Sequence, residues 1–209
     1  MSIYSEVFED ENLINLIRAK LPRLFHLVEL ENSRNGKLGM EVGTAREKVL
    51  IALLMYKFGV DNVDAEIPIT EHEIDVIVKD EPLSIKTLKA KRASSVKLIW
   101  TVDYAKVKLF ADTYNPKCDM LLAQVNWDGI GNLYLFSMQA QKDLLKKLGK
   151  DIYIKVPKQG TNPRGVELSQ VAIEHLIADK STKSISVNFV KEAIEYDPYK
   201  RWLDEWGES

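Results

Sequence analysis

The sequence predicts an α/β (α+β) fold in which a central mixed β-sheet is flanked by helices. Three observations predict it. A strongly helical segment near residues 45–58 precedes a hairpin pattern at about 73–78 and 83–88. A second pair of apolar strands is expected at 119–126 and 133–137. Helical patterns separate and follow these strands, so sheet and helix alternate along the chain. With 209 residues, 45% hydrophobic and 29% charged, the chain has the composition of an ordinary globular protein and the length to bury one sizeable core.

Taken in order, residues 10–20 and 21–31 read as two short helices, with Pro22 at an early position of the second. Arg34 to Met40 is a polar loop containing glycine. The helix from about Ala45 to Phe58 carries the capping-box pattern Thr44-x-x-Glu47 at its start and Gly59 at its end. After the first hairpin, Val102 to Tyr114 reads as a helix, and the strand Asp119 to Asn126 turns at Trp127-Asp-Gly-Ile-Gly into Leu133 to Ser137. A lysine-rich helix at about Gln139 to Leu148, a short strand at Ile152 to Val156 and a loop from Pro157 to Gly165 follow. Ser169 caps a helix to about Ala178, Ser184 to Phe189 is the last strand, and a C-terminal helix places Trp202 and Trp206 one turn apart.

Several classes are excluded. No run reaches the apolar length needed to span a bilayer, and Met-Ser-Ile-Tyr-Ser-Glu lacks the features of a signal peptide. The single cysteine, Cys118, rules out a disulfide framework and a thiolate zinc site. A reducing cytoplasmic setting is the expectation. Net charge is −2, yet Lys86 to Lys108 holds seven basic residues against Asp103, and Lys142 to Arg164 holds seven against Asp143 and Asp151. Beside the hairpin, such clusters suit a phosphate-facing surface.

The hairpin carries the chemistry. A turn centred on Asp80 and Glu81 would set Asp75 opposite Lys86 and Ile77 opposite Ser84. Alternation then gives one apolar face, with Ile74, Val76, Val78, Leu83, Ile85 and Thr87, and one face with Asp75, Ser84 and Lys86. A carboxylate and an ammonium fixed side by side suit a divalent metal and a water held beside a phosphate. Glu47 heads the inward stripe Leu50, Ile51, Leu54 and Phe58, and a carboxylate pointing inward needs a cation or a donor. His26, His72 and His175 fit no ligand spacing.

Asp75, eight residues, then Ser84-x-Lys86, with Glu47 on the preceding helix, resembles the signature of the PD-(D/E)XK nucleases. Chain size and the downstream basic segments make the likeness greatest to type II restriction endonucleases. The resemblance implies a restriction-endonuclease-like core. It also implies Mg²⁺ held by Asp75 and Glu47, Lys86 near the attacking water, and products with 5′-phosphate and 3′-hydroxyl ends. The sequence departs from that pattern at Ser84, where the family carries Glu or Asp; a hydroxyl there would position a water, and the second carboxylate would come from Glu47 or from Glu73. The organisation expected is one nuclease domain over 1–209: a helical elaboration at 1–42, a catalytic core at 43–137, and recognition and dimerisation elaborations at 138–209.

The partner expected is double-stranded DNA. Lys89, Lys91, Arg92, Lys97 and Lys158 are candidate phosphate contacts. Asn162 and Arg164 are candidate base readers, and Met40 a candidate apolar wedge between bases. Cutting both strands of a palindrome calls for two sites about a two-fold axis, hence a homodimer. Two alternatives stand beside this reading: a junction or repair nuclease of the same fold, and a DNA-binding protein that kept the fold without cleavage.

Overall fold

The computed structural model describes residues 2–34, 37–38, 41–68, 71–158 and 165–207. After a six-residue 3-10 helix at Ile3–Phe8, helix α1 runs unbroken from Glu11 to Glu31. Two short helices were expected here. Pro22 instead sits inside one helix, buried in the core. A proline removes one N–H from the helical ladder, and burial of Leu13, Ile17, Leu21 and Phe25 on one face holds the helix through it. Strands β1 (Ser33–Arg34) and β2 (Lys37–Leu38) lead to helix α2 (Val42–Phe58). That helix starts earlier than the capping-box pattern implies. Its N-cap is Glu41, which makes no side-chain cap, so Thr44 and Glu47 lie within the helix. Gly59, at φ 90°, closes it as expected.

Six strands form the main sheet. These include β3 (Val63–Asp64), β4 (Val76–Val78) and β5 (Glu81–Lys89). Strand β6 (Val96–Ile99) belongs to a smaller sheet, and helix α3 (Tyr104–Thr113) follows it. Then come β7 (Asp119–Val125), β8 (Gly129–Phe136) and helix α4 (Met138–Leu148). Residues 150–153 form a single turn, α5 (Lys150–Tyr153), where a strand from 152 was expected; only Ile154–Lys155 is extended, as β9. Strand β10 (Val166–Leu168), helix α6 (Gln170–Ala178), strand β11 (Lys183–Phe189) and helix α7 (Lys200–Gly207) complete the described chain.

The main sheet has the order β11-β8-β7-β5-β4-β3. Only β5 and β7 pair in parallel; the other neighbours are antiparallel, so the sheet is mixed as the sequence predicts. Alternation on β5, β7 and β8 divides the core in two. Leu83, Ile85, Leu121, Ala123, Leu133 and Leu135 face α1 and α2. Leu88, Met120, Leu122, Tyr134 and Phe136 face the other way, toward the helices after β8 and the small sheet β6-β10-β9. Both faces are therefore covered, and the polar row of the hairpin opens to solvent only at its end.

The hairpin register differs from the expected one by two residues. The turn is Lys79–Asp80, both at positive φ (47° and 68°). A two-residue loop with both residues left-handed matches the twist of the strands it joins. Val78 then pairs with Glu81 and Val76 with Leu83. Asp75, which precedes the ladder, donates its N–H to the Leu83 carbonyl at 2.9 Å, so it sits beside the Leu83–Ser84 stretch of β5 and not opposite Lys86. A slip of two keeps every side chain on its face, so Asp75, Ser84 and Lys86 still share one side.

Candidate active site

The site lies in a notch at the edge of β5. Strand β4 begins at Val76, so beyond Ser84 the only neighbour on that side is Asp75, which precedes the strand. Its carboxylate takes the place of a missing strand carbonyl. Oδ2 accepts from the Ile85 N–H at 2.7 Å, from Lys86 Nζ at 2.9 Å and from Ser84 Oγ at 3.2 Å. All three bonds converge on one oxygen. Charge-assisted bonds of this length are the strong ones, so Asp75 is fixed by the backbone of β5 as well as by its side chains. Ser84 is buried, and the Lys86 side chain is only 12% exposed.

Helix α2 packs on β4 and β5 and brings Glu47 to the same place. Burial pushes its carboxyl up to about 7; the Lys86 ammonium opposes this shift and the Asp75 carboxylate adds to it. Glu47 is thus a carboxylate within electrostatic reach of the hairpin pair and short of positive charge. Glu73 lies nearby, in the segment before β4. Burial pushes it too up to about 7, against the pull of Lys117 and Lys86. Its Oε2 is buried with no hydrogen-bond partner. It borders a cavity of about 10 Å³ with Ser84, Lys86 and Tyr114, room for roughly one water. Cys118 lines the same cavity, and burial raises its thiol to about 12, so it is no nucleophile.

The residues present fit Mg²⁺. Among the described residues no three His, Cys, Asp or Glu side chains converge as a complete cage. Magnesium does not ask for one, since it binds through one or two carboxylates and completes its shell with water and substrate phosphate. Asp75 and Glu47 are hard oxygen donors, and Glu47, raised mainly by desolvation, has the Lys86 ammonium and the Asp75 carboxylate within electrostatic reach.

The basic candidates fall in two groups. Lys89 ends β5, and Lys91 and Arg92 follow it, all three exposed beside the notch. Lys97 sits on the small sheet, where its ammonium lies 3.6 Å from Glu167, and Lys155 reaches the other oxygen of Glu167 at 3.3 Å. The two basic segments of the sequence therefore meet on one carboxylate. Burial would raise that carboxyl, but Ser95, Lys155 and Lys97 together hold it below its ordinary range. Lys158 is exposed just beyond. Met40, Asn162 and Arg164 lie outside the described residues. Gly165, the first described residue after them, has φ 93°; a Cβ there would stand 1.8 Å from the Ile99 carbonyl, so only glycine lets β10 close on β6.

Sequence reasoning missed one further polar cluster. On the other side of α2, Arg46 pairs with Glu29, and both are almost fully buried. Glu29 also accepts from Trp127 Nε1 at 2.7 Å and pairs with Lys191 at 3.0 Å. Trp127 is 98 residues from Glu29, and no local pattern announces such a contact.

A comparison with protein families decides the class. The family model for restriction endonuclease ThaI matches residues 7–208. The chain belongs to the ThaI restriction endonuclease family. A solved structure described as a restriction endonuclease in complex with substrate DNA agrees over 100% of both chains, at 45% identity and a TM-score of 0.93. No curated protein matches the chain. This ThaI-family enzyme is therefore a restriction endonuclease, and its mixed sheet with flanking helices is that of a restriction endonuclease. Among its described residues no helix is long and apolar enough to cross a membrane.

Proposed function

We propose that this restriction endonuclease cuts double-stranded DNA at a defined sequence, in the type II manner, with a PD-(D/E)XK centre made of Asp75, Glu47 and Lys86. The observation that supports this most is the convergence of Lys86 Nζ and Ser84 Oγ on Asp75 Oδ2, with Glu47 held beside them without a cation of its own. Asp75 and Glu47 would hold Mg²⁺, which would supply charge to offset that developing on the phosphate and would lower the pKa of a nearby water. Lys86, anchored on a buried strand, would orient the attacking water and steady the charge it develops. Ser84 would fix the rotamer of Asp75 and position water in place of the carboxylate usual in that family. In-line displacement would leave 5′-phosphate and 3′-hydroxyl ends.

The domain plan is part of the same proposal, with the core at 43–137 and recognition and dimerisation at 138–209. Lys89, Lys91, Arg92, Lys97 and Lys158 would contact phosphates, Asn162 and Arg164 would read base edges, and Met40 would enter the stack. Two copies about a two-fold axis would cut the two strands, in the cytoplasm. The test is incubation with plasmid and Mg²⁺, with and without a chelator. Discrete fragments that vanish with chelator are expected. Binding without cleavage, or cutting confined to branched DNA, would overturn the reading.

A further inference from the structure

The Lys86 ammonium is met by a further carboxyl on the side of the sheet away from α2. Glu73 borders the cavity beside Ser84 and Lys86 together with Leu98, Tyr114 and Met120, which belong to the half of the core under the small sheet. Helix α2 packs on the other half. Lys86 and Lys117 are the cations that act on Glu73. Hydrogen bonds from the Tyr114 side chain and the Lys117 backbone reach its carboxyl, and Cys118 Sγ donates to its main-chain carbonyl at 3.6 Å. Its direction is therefore set by groups other than Lys86. Yet among the described residues Glu73 Oε2, shielded from solvent, has no hydrogen-bond partner, which is costly for a buried oxygen.

The cavity that Glu73, Ser84 and Lys86 line measures about 10 Å³, room for one water. A buried water is held by about two to four polar partners, and these walls supply them. Glu73 Oε2 is an acceptor without a donor. An ammonium carries three N–H groups, and Lys86 directs one at Asp75 Oδ2, 2.9 Å away. Ser84 Oγ gives its proton to the same oxygen and keeps its lone pairs for a donor.

Lys86 needs such a second anchor. Asp75 Oδ2, the oxygen that orients the ammonium, belongs to the carboxylate proposed to hold Mg²⁺. A cation on that carboxylate weakens its pull on Lys86 and repels the ammonium. We propose that Glu73 is a positioning residue for Lys86: one water in this cavity bridges Glu73 Oε2 and the Lys86 ammonium, and the bridge keeps the ammonium aimed at the attacking water while Asp75 is engaged by the metal. The inference rests on the reading of Lys86 given above. Glu73 sits on the opposite side of the sheet from α2, so it serves the lysine and leaves the cation to Asp75 and Glu47. The role asks only for an acceptor, which a carboxyl and an amide both supply.

The test is single-turnover cleavage at saturating DNA and Mg²⁺ for wild type, Glu73→Leu, Glu73→Gln, Lys86→Ala and the double variant Glu73→Leu/Lys86→Ala. Glu73→Leu should cleave about 10- to 100-fold more slowly, the range of one hydrogen bond to a charged group. Its affinities for DNA and Mg²⁺ should stay at wild-type values, and its denaturant midpoint should not fall, because a buried acceptor without a donor is gone. Glu73→Gln should recover most of the rate. In the Lys86→Ala background Glu73→Leu should add less than about twofold, as expected when one residue acts through the other. A crystal structure of the metal-free wild type should show the bridging water, and this tests the bridge even should Glu73→Leu fail to fold. A wild-type rate in Glu73→Leu, no recovery in Glu73→Gln, weaker Mg²⁺ binding in Glu73→Leu, losses that multiply in the double variant, or a dry cavity would each overturn the proposal and leave Lys86 in its role. A wild-type rate in Lys86→Ala would overturn the reading beneath it as well.

Discussion

Two polar clusters flank helix α2, one buried and one half-buried, and they differ in how their charges are balanced. On one side Glu29 has three cationic or N–H partners: Arg46, Lys191 and the Trp127 indole. Burial would raise its carboxyl, but those partners outweigh burial and hold it below the ordinary range. On the other side Glu47, the next residue after Arg46, is half-buried with one ammonium in reach and a second carboxylate near it, and desolvation pushes it up to about 7. The ingredients are alike. Where the charge is balanced the cluster holds α1, α2 and the β7–β8 turn together. Where it is left unbalanced, the proposed Mg²⁺ would supply the charge that the chain does not.

The sharpest way to break this comparison is to remove the centre of the second cluster. Lys86→Ala and Asp75→Asn should each slow cleavage by about 10²- to 10⁴-fold with DNA affinity within a few-fold of wild type. Single-turnover rates and a binding assay check this, and near-wild-type turnover in Lys86→Ala would remove Lys86 from the mechanism.

Stability should divide the clusters next. Arg46→Ala leaves Glu29 buried beside fewer partners, and breaking such a pair costs about 3–5 kcal/mol, read as a fall in the denaturant midpoint. Glu47→Gln should do the reverse without metal. A carboxyl raised in the folded state contributes stability that is full below its unfolded value of 4.5 and lost as pH rises through about 7. Glu47→Gln removes that loss, so it should match wild type at pH 4 and exceed it at pH 8. Glu29 has the opposite sign: its contribution is present above 4.5 and disappears as pH falls through its lowered folded value.

Smaller effects sharpen the picture. Ser84→Ala removes one of three donors to Asp75 Oδ2, while the Ile85 N–H and Lys86 remain. Its cost in rate should stay below about tenfold, from a hydrogen bond of about 1 kcal/mol. A larger loss than in Glu47→Gln would exchange their roles. Lys91→Ala or Arg92→Ala should weaken binding to all sequences alike and reduce the salt slope by about 0.9 each. A change confined to one sequence would move that residue from phosphate to base contact.

The same comparison explains what the sequence could and could not disclose. Asp75, Ser84 and Lys86 lie within twelve residues, and the alternation of a strand survives the two-residue shift in pairing register. Glu47 was legible through the inward stripe of its helix. The capping box at Thr44 was misleading, because α2 starts at Val42 and a pattern inside a helix can mimic one at its end. The unbroken α1 escaped because tertiary burial overrode the local signal of Pro22. Strands β6, β9 and β10 are two to four residues long, too short for periodicity to register. The Glu29 cluster joins positions 29, 46, 127 and 191, and only the fold brings them together.

The central claim is that Asp75 and Glu47 share one cation. The most direct test is calorimetric titration of the enzyme–DNA complex with Mg²⁺ between pH 5.5 and 8.5, for wild type, Asp75→Asn and Glu47→Gln. Wild-type affinity should rise with pH until about 7, as Glu47 gives up its proton, and then level. Both variants should bind Mg²⁺ at least about tenfold more weakly, the loss expected for a missing ligand, and Glu47→Gln should also lose most of the dependence on pH. Unchanged affinity in either variant, or a wild-type affinity flat across that range, would contradict the account.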